Sequence, residues 1–247
     1  MRQGQLTIII PVYNEGASFR ALWAELTSSV TVPFTGLAVY DFDEDDTVPV
    51  VQAIMAGGER RLRCVKNLVR RGVVGAIITG FKEATDGAVL VVMGDLSDDL
   101  TQVPEMLQLY QQGYDIVAGS RYMKGGRSIG GPLLKQRLSR LAGVSLHWLR
   151  GIPTHDATNA FKVYDRRMVE SFHIESQGGF ELNLELTVKA FLAGYRIAEV
   201  PAVWRDRSAG QSKFRMWRWL PFYLKWYFHA FRPRTTAALQ RRSAAQD

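Results

Sequence analysis

The sequence predicts an α/β protein built on a doubly wound, mainly parallel sheet, and three observations lead there. Short apolar runs alternate with segments of helical spacing from residue 6 to residue 118. One run, Ala88–Met93 (AVLVVM), is apolar without interruption, as expected for a strand covered on both faces of a parallel sheet. The polar, chemistry-bearing residues collect in the loops after the runs, where open α/β sheets bind their ligands.

Taken in order, Leu6–Ile10 is a β-branched run that stops at Pro11, and Glu15–Ser28 has helical spacing. Leu37–Tyr40 reads as the second strand, followed by an acidic cluster and a helix over Val48–Ala56. Arg61–Val65 is the third strand, and Gly72–Thr85, rich in Gly, Ala and Ile, the next helix. After Ala88–Met93 come a helix over Val103–Gln111 and a strand over Asp115–Ala118. No internal repeat or low-complexity segment interrupts this alternation.

At 247 residues, with 47% hydrophobic and 22% charged content, the chain can bury one large core and carry a C-terminal appendage. Cys64 stands alone, which excludes an internal disulfide framework and a cysteine metal cluster and fits a reducing compartment. MRQGQ leads straight into LTIIIPVYN without a leader and cleavage site, so secretion is not expected. The net charge of +7 suits an anionic substrate, a membrane surface or nucleic acid.

The segment from Arg207 to Arg232 narrows that choice. A small-residue loop with Arg207, Ser208, Gly210, Ser212 and Lys213 is suited to closing over phosphates. It runs into Trp217, Trp219, Phe222, Tyr223, Trp226, Tyr227, Phe228 and Phe231. On a helix, Arg218, Lys225, His229 and Arg232 fall within about 60° of one another, and the remaining circumference is apolar or aromatic. That pattern fits a helix in a membrane interface, with a helix packed as core as the alternative. The aromatic company of these cations favours membrane over nucleic acid. Pro221 permits either two short helices or one that begins near Leu220. Arg218 and Lys225 interrupt the apolar run, so a membrane span is not expected. The expected organisation is a catalytic domain over 1–213, amphipathic helices over 214–233 and a polar, disordered tail over 234–247.

Three loops carry the chemistry: Pro11-Val12-Tyr13-Asn14-Glu15, the acidic stretch Asp41–Thr47, and Gly94-Asp95-Leu96-Ser97-Asp98-Asp99. Carboxylates at one sheet edge can hold a base or ribose and a hard divalent cation against a diphosphate. Taken alone, each such loop is more often a solvated turn or helix cap.

LTIIIPVYNE, the acidic loop, VVMGDLSDD, GSRY, DATNAFKVY and RSAGQSK, in that order, resemble the family 2 glycosyltransferases with the GT-A fold, most of all the dolichol- or polyprenyl-phosphate mannose synthases. The resemblance spans Leu6 to Phe214. It implies that Pro11, Tyr13, Glu15 and Asp41 line the donor nucleotide, Asp45 matching the last Asp of the family's DDxSxD loop. It implies Mg²⁺ or Mn²⁺ on Asp95, with Ser97 as a weaker second ligand. Tyr40 and Asp43 depart from the acidic motif, and Met93 replaces the first Asp of the family's DxD. Arg121 would bind the acceptor phosphate, helped by Ser139 and by Lys135 or its near competitor Arg137. Asp156 would organise the site beside the donor sugar, while Arg207 and Lys213 clamp phosphates. His147 and His155 have no visible partner and read as structural.

These residues together imply an inverting transferase. It would move a sugar from a nucleoside-diphosphate sugar to a polyprenyl phosphate, peripherally, at the cytoplasmic face of a membrane, with an oligomer possible. Two alternatives stay open. One is a soluble glycan or protein acceptor, with the C-terminal helix packed as core. The other is a catalytically weakened nucleotide-binding relative, suggested by Met93 and Ser97.

Overall fold

The computed structural model describes residues 4–206 and 216–235, and the side chains of the latter segment from Trp219 onward. Arg207, Ser208, Gly210, Ser212 and Lys213 of the cationic loop, and the tail beyond Thr235, lie outside the described residues.

The elements run β1 (Gln5–Pro11), α1 (Gly16–Ser29), β2 (Phe34–Tyr40), α2 (Thr47–Ala56), β3 (Leu62–Lys66), α3 (Val73–Glu83) and β4 (Gly87–Val91). A 3₁₀ turn at Leu100–Gln102 leads into α4 (Val103–Gln111), β5 (Ile116–Ser120), β6 (Arg127–Ile129) and α5 (Leu133–Arg150). The chain ends with β7 (Lys162–Asp165), α6 (Arg166–Glu170), α7 (Glu181–Leu192), β8 (Ile197–Pro201), β9 (Val203–Arg205) and α8 (Met216–His229). Every strand and helix expected up to residue 118 is present, with boundaries moved by a few residues.

One seven-stranded sheet, in the order β3-β2-β1-β4-β7-β5-β8, carries the fold. All neighbours are parallel except β7, which runs antiparallel between β4 and β5. Alternation along β1 shows why the sheet needs helices on both faces. Ile8 and Ile10 join Phe19, Leu22 and Leu26 of α1, while Ile9 joins Ile77 and Phe81 of α3. Strand order reverses at β1, with β2 on one side and β4 on the other, which opens a crevice at their carboxyl ends.

The C-terminal segment forms one helix that continues through Pro221. It is both core and surface. Trp226 and Ala230 are buried in the cluster that includes Leu184 and Val188 of α7, and Tyr223 and Tyr227 pack against it. Leu224, Phe228 and Phe231, on the adjoining stripe, are exposed. Of the expected cationic stripe, Lys225 is paired with Glu175 at 3.0 Å. The helix is tied to α5: Ser145 and Tyr227 share a hydroxyl hydrogen bond of 3.0 Å, and Arg150 donates to the Ala230 carbonyl. The outer face of α5 exposes Leu134, Leu141 and Trp148, with Arg137 and Arg140 also exposed. No helix among the described residues is long and apolar enough to cross a membrane.

Candidate functional site

At the switch point the carboxyl ends of β1, β2 and β4 enclose a cavity of about 190 Å³. Pro11, Tyr13, Glu15, Asp41 and Asp95 all line it, together with Gly72, Val73 and Phe180. Five of the residues expected at a donor site are thus brought together by three loops.

The acidic loop divides its carboxylates between structure and cavity. Asp45 is buried and accepts from the Asn14 backbone N–H at 3.1 Å and that of Thr47 at 2.9 Å. Thr47 Oγ1 accepts from Glu15 N–H, and Asp46 Oδ1 from Gly16 N–H, both at 2.9 Å. These bonds zip the β2 loop onto the β1 loop and hold Asn14 at φ 55°, a left-handed conformation that Asn tolerates. Asp43 turns outward to Lys66. Asp41 alone reaches the cavity, where its oxygens accept from Asn67 Nδ2 and Gly72 N–H at 2.7 Å each.

Phe180 closes the cavity from the loop before α7, a residue that sequence reasoning passed over. That loop is pinned by two buried carboxylates. Glu181 accepts from the backbone N–H groups of Gln177, Gly178 and Gly179, and Glu185 from those of Glu175 and Ser176. Arg70 donates to the Ser176 carbonyl. Trp219 of α8 lies against Gly178 so closely that a Cβ there would meet its ring at 2.4 Å.

Asp95 sits on the cavity wall beside Met93 and Gly94, its Oδ1 accepting from Ser97 N–H at 3.2 Å across Leu96, whose φ is 58°. Ser97, expected as a second metal ligand, is instead buried outside the cavity lining, and its carbonyl accepts from Arg205 N–H at 2.9 Å. Asp98 is also buried and accepts from the Met93 N–H. Burial first, and the Asp95 charge second, push its carboxyl up to about 7. The carboxylate oxygens of Asp95 on the cavity wall are donors that fit Mg²⁺ or Mn²⁺; the Met93 thioether is not. Among the described residues no three His, Cys, Asp or Glu side chains are grouped to hold a metal. Asp95 would therefore hold the ion together with ligand oxygens and water.

On the opposite side Arg121 and Asp156 form a bidentate pair, Nε to Oδ2 at 2.6 Å and Nη2 to Oδ1 at 3.0 Å. Asp156 is fully buried, and Arg121 Nη2 also reaches Ser139 Oγ at 3.1 Å. Burial disfavours the Arg121 charge, but the attraction and hydrogen bonds of Asp156 outweigh that and raise its pKa. Thr158 completes the group, 2.7 Å from Ser139 Oγ. Helix α5 separates the two competing cations. Lys135 is one turn before Ser139 and shares its face, whereas Arg137 lies about 200° away and is exposed. A Cβ at Gly143 would lie 2.2 Å from the His155 carbonyl, so α5 seats directly on the strand-end segment that carries Asp156.

Other residues here escaped the sequence reading. His155 Nδ1 lies 2.6 Å from Glu199 Oε1, and its ring stacks on His147 at 3.8 Å, so both histidines do have partners. Lys162 is fully buried and donates to the carbonyls of Ala157 and Asn159 at 2.8 and 2.7 Å. A lone charge inside the apolar FKVY run was the signal for it.

Residues 7–172 match the domain described as Glycosyl transferase family 2. A dolichol-phosphate mannosyltransferase of Pyrococcus furiosus is 25% identical over 215 residues, 85% of this chain and 59% of the relative, so the present chain spans little more than half of that protein. A polyprenol monophosphomannose synthase of Mycolicibacterium smegmatis is 25% identical over 212 residues, 83% of this chain and 79% of the relative. Among solved structures, glucosyl-3-phosphoglycerate synthase from Mycobacterium tuberculosis with Mn²⁺, UDP-glucose and phosphoglyceric acid superposes with a TM-score of 0.67 at 16% identity, over 91% of this chain and 80% of that one. The sheet order, the cavity at its switch point and the matched domain converge: the chain belongs to glycosyl transferase family 2 and has a GT-A-like fold.

Proposed function

We propose that this glycosyltransferase moves a sugar from a nucleoside-diphosphate sugar to the phosphate of a polyprenyl phosphate at a membrane surface. The observation that carries the reading is the place of the Arg121–Asp156–Ser139 cluster. It lies under the inner face of α5, and the outer face of the same helix exposes Leu134, Leu141 and Trp148. A phosphate-binding cation beneath an apolar surface suits an acceptor that joins a phosphate to a hydrocarbon chain. Leu224 and Phe228 on α8, tied to α5, and Phe231 just after it extend the exposed apolar surface. The names of the two curated relatives point the same way.

In this reading Tyr13, Glu15 and Asp41 hold the nucleotide, and Asp95 holds Mg²⁺ or Mn²⁺, which would offset diphosphate charge. Arg121, with Lys135 and Ser139, orients the acceptor phosphate. One of its oxygens attacks the anomeric carbon, the bond from that carbon to the diphosphate oxygen breaks, and the nucleoside diphosphate leaves with the electron pair. The attacking phosphate is already ionised at neutral pH, so no general base is required. Displacement from the opposite face inverts the anomeric centre. The single cysteine, Cys64, suits action on the cytoplasmic side.

A soluble phosphorylated acceptor is the second reading, favoured by the burial of Trp226 in the core and by the phosphoglyceric acid bound in the Mycobacterium tuberculosis neighbour. One assay separates the two. The protein is incubated with Mg²⁺ or Mn²⁺, a panel of GDP- and UDP-sugars and a short-chain polyprenyl phosphate, and the lipid product is weighed by mass spectrometry. A sugar-phosphoryl-lipid is expected. Donor hydrolysis or binding without lipid product would sink the lipid acceptor. Phe228→Glu with Trp148→Glu should abolish sedimentation with anionic vesicles while leaving the melting temperature unchanged, since both side chains are exposed.

A further inference from the structure

Lys162 is the one residue of β7 whose burial has no apolar rationale. It stands between Phe161 and Val163, both in the apolar core. Burying an ammonium is unfavourable, and a methionine of similar length would fill the space without that penalty. Its Nζ instead donates to the carbonyls of Ala157 and Asn159, the turn that begins one residue after Asp156. Ala157 is fully buried and Asn159 nearly so, and no other hydrogen bond to these two carbonyls is described. Asn159 is held from its other end by the Gly119 carbonyl of β5, and Arg121 follows β5 directly.

The charges extend the argument. Asp98, Arg121, Asp156 and Lys162 influence one another's charge: Arg121 feels both Asp98 and Asp156, and Lys162 feels both Asp156 and Arg121. Nε and Nη2 of Arg121 are committed to Asp156, Ser139 and Thr158, and no hydrogen bond of Nη1 is described. A phosphate that draws on Arg121 weakens its hold on Asp156. Lys162 then remains as the tie that keeps the turn after Asp156, and with it Asp156, in place.

We propose that Lys162 is a positioning residue for phosphate recognition: by anchoring the 157–159 turn it holds Asp156 against Arg121 while Arg121 engages the acceptor phosphate. The inference rests on the acceptor reading above, and its test is chosen to fail separately. Farnesyl phosphate is the probe, titrated by calorimetry into wild type, Lys162→Met and Lys162→Gln; the glutamine keeps two N–H donors without the charge. Nucleotide binding is titrated beside it, and folding is followed by circular dichroism. Lys162→Met is expected to weaken farnesyl phosphate binding about tenfold or more, the scale on which small misplacements act. Nucleotide affinity should stay within about threefold, and Lys162→Gln should recover part of the loss. Equal losses for both ligands, or farnesyl phosphate affinity unchanged in either folded variant, would overturn the role. If Lys162→Met does not fold, Lys162→Gln decides by the same criteria. Wild type that binds the probe but transfers no sugar to it removes the proposed function and leaves the positioning role standing. Wild type that does not bind the probe removes both.

Discussion

The two halves of the site are held by opposite means. On the side proposed to bind the donor, backbone N–H groups donate to carboxylates from a neighbouring loop: Asn14 to Asp45, Gly16 to Asp46, Gly72 to Asp41. On the side proposed to bind the acceptor, a buried ion pair, Arg121 with Asp156, is tied to Ser139 of α5, and the buried Lys162 holds the turn beside it. The donor side is therefore an array of local hydrogen bonds, each of modest net worth. The acceptor side is a coupled ionic network in which removing one member strands another in a dry interior.

That contrast predicts unequal damage from equal substitutions. Asp156→Ala leaves Arg121 as a mostly buried, unpaired cation and should cost about 3–5 kcal/mol in urea unfolding. A loss below about 1 kcal/mol would show that water or Asp98 replaces the pair and that the network is not coupled. Asp45→Ala removes the acceptor for two backbone N–H groups, for an expected loss of about 1–3 kcal/mol together with weaker nucleotide binding. Asp43→Ala, two residues earlier in the same loop, breaks only the exposed pair with Lys66 and should leave the urea midpoint indistinguishable from wild type.

The same division decides what could be read from sequence. The strands up to residue 118 were legible because period and burial coincide there: Ile8, Ile9 and Ile10 alternate between two cores, and AVLVVM needs cover on both faces. The donor loops were legible as a set because topology delivers every parallel strand end to one edge. Which carboxylate does what was not. Asp41, Asp43 and Asp45 look alike in sequence and end up in the cavity, at the surface and in the core. Past Ala118 the apolar pattern says less, since β7 enters antiparallel and α7 buries Glu181, Asn183, Glu185 and Thr187 on faces that periodicity assigns to solvent. Partners such as Glu199 for His155 lie 44 residues away and leave no local trace.

Titration gives a finer test of the acceptor network. Burial pushes the Lys162 ammonium down to about 7 from 10.5, the Asp156 charge opposing the fall and the Arg121 charge adding to it. The unfolded chain keeps that proton up to about pH 10.5, while the folded protein releases it near 7. Between those values the unfolded state binds more protons, so stability rises with pH, by at most about 1.4 kcal/mol per pH unit for one proton. Urea unfolding across pH 7 to 10 should show this slope in wild type, and Lys162→Met should be flatter by that amount. Identical slopes would mean that Asp156 holds the charge on Lys162 throughout.

The smallest effect should come from the two cations of α5 that compete for the acceptor role. Lys135 shares a helix face with Ser139, whose Oγ is bonded to Arg121, while Arg137 points about 200° away into solvent. Lys135→Ala is therefore expected to raise the KM for polyprenyl phosphate several-fold, and Arg137→Ala to leave it within about twofold. Arg137 also stands beside the exposed Leu134, Leu141 and Trp148, so its loss should appear instead as weaker, salt-sensitive binding to anionic vesicles, near 1 kcal/mol for one cation at the surface. Reversal of the two KM effects would place the acceptor phosphate on the outer face of α5, and the Arg121–Asp156 pair would then be purely architectural.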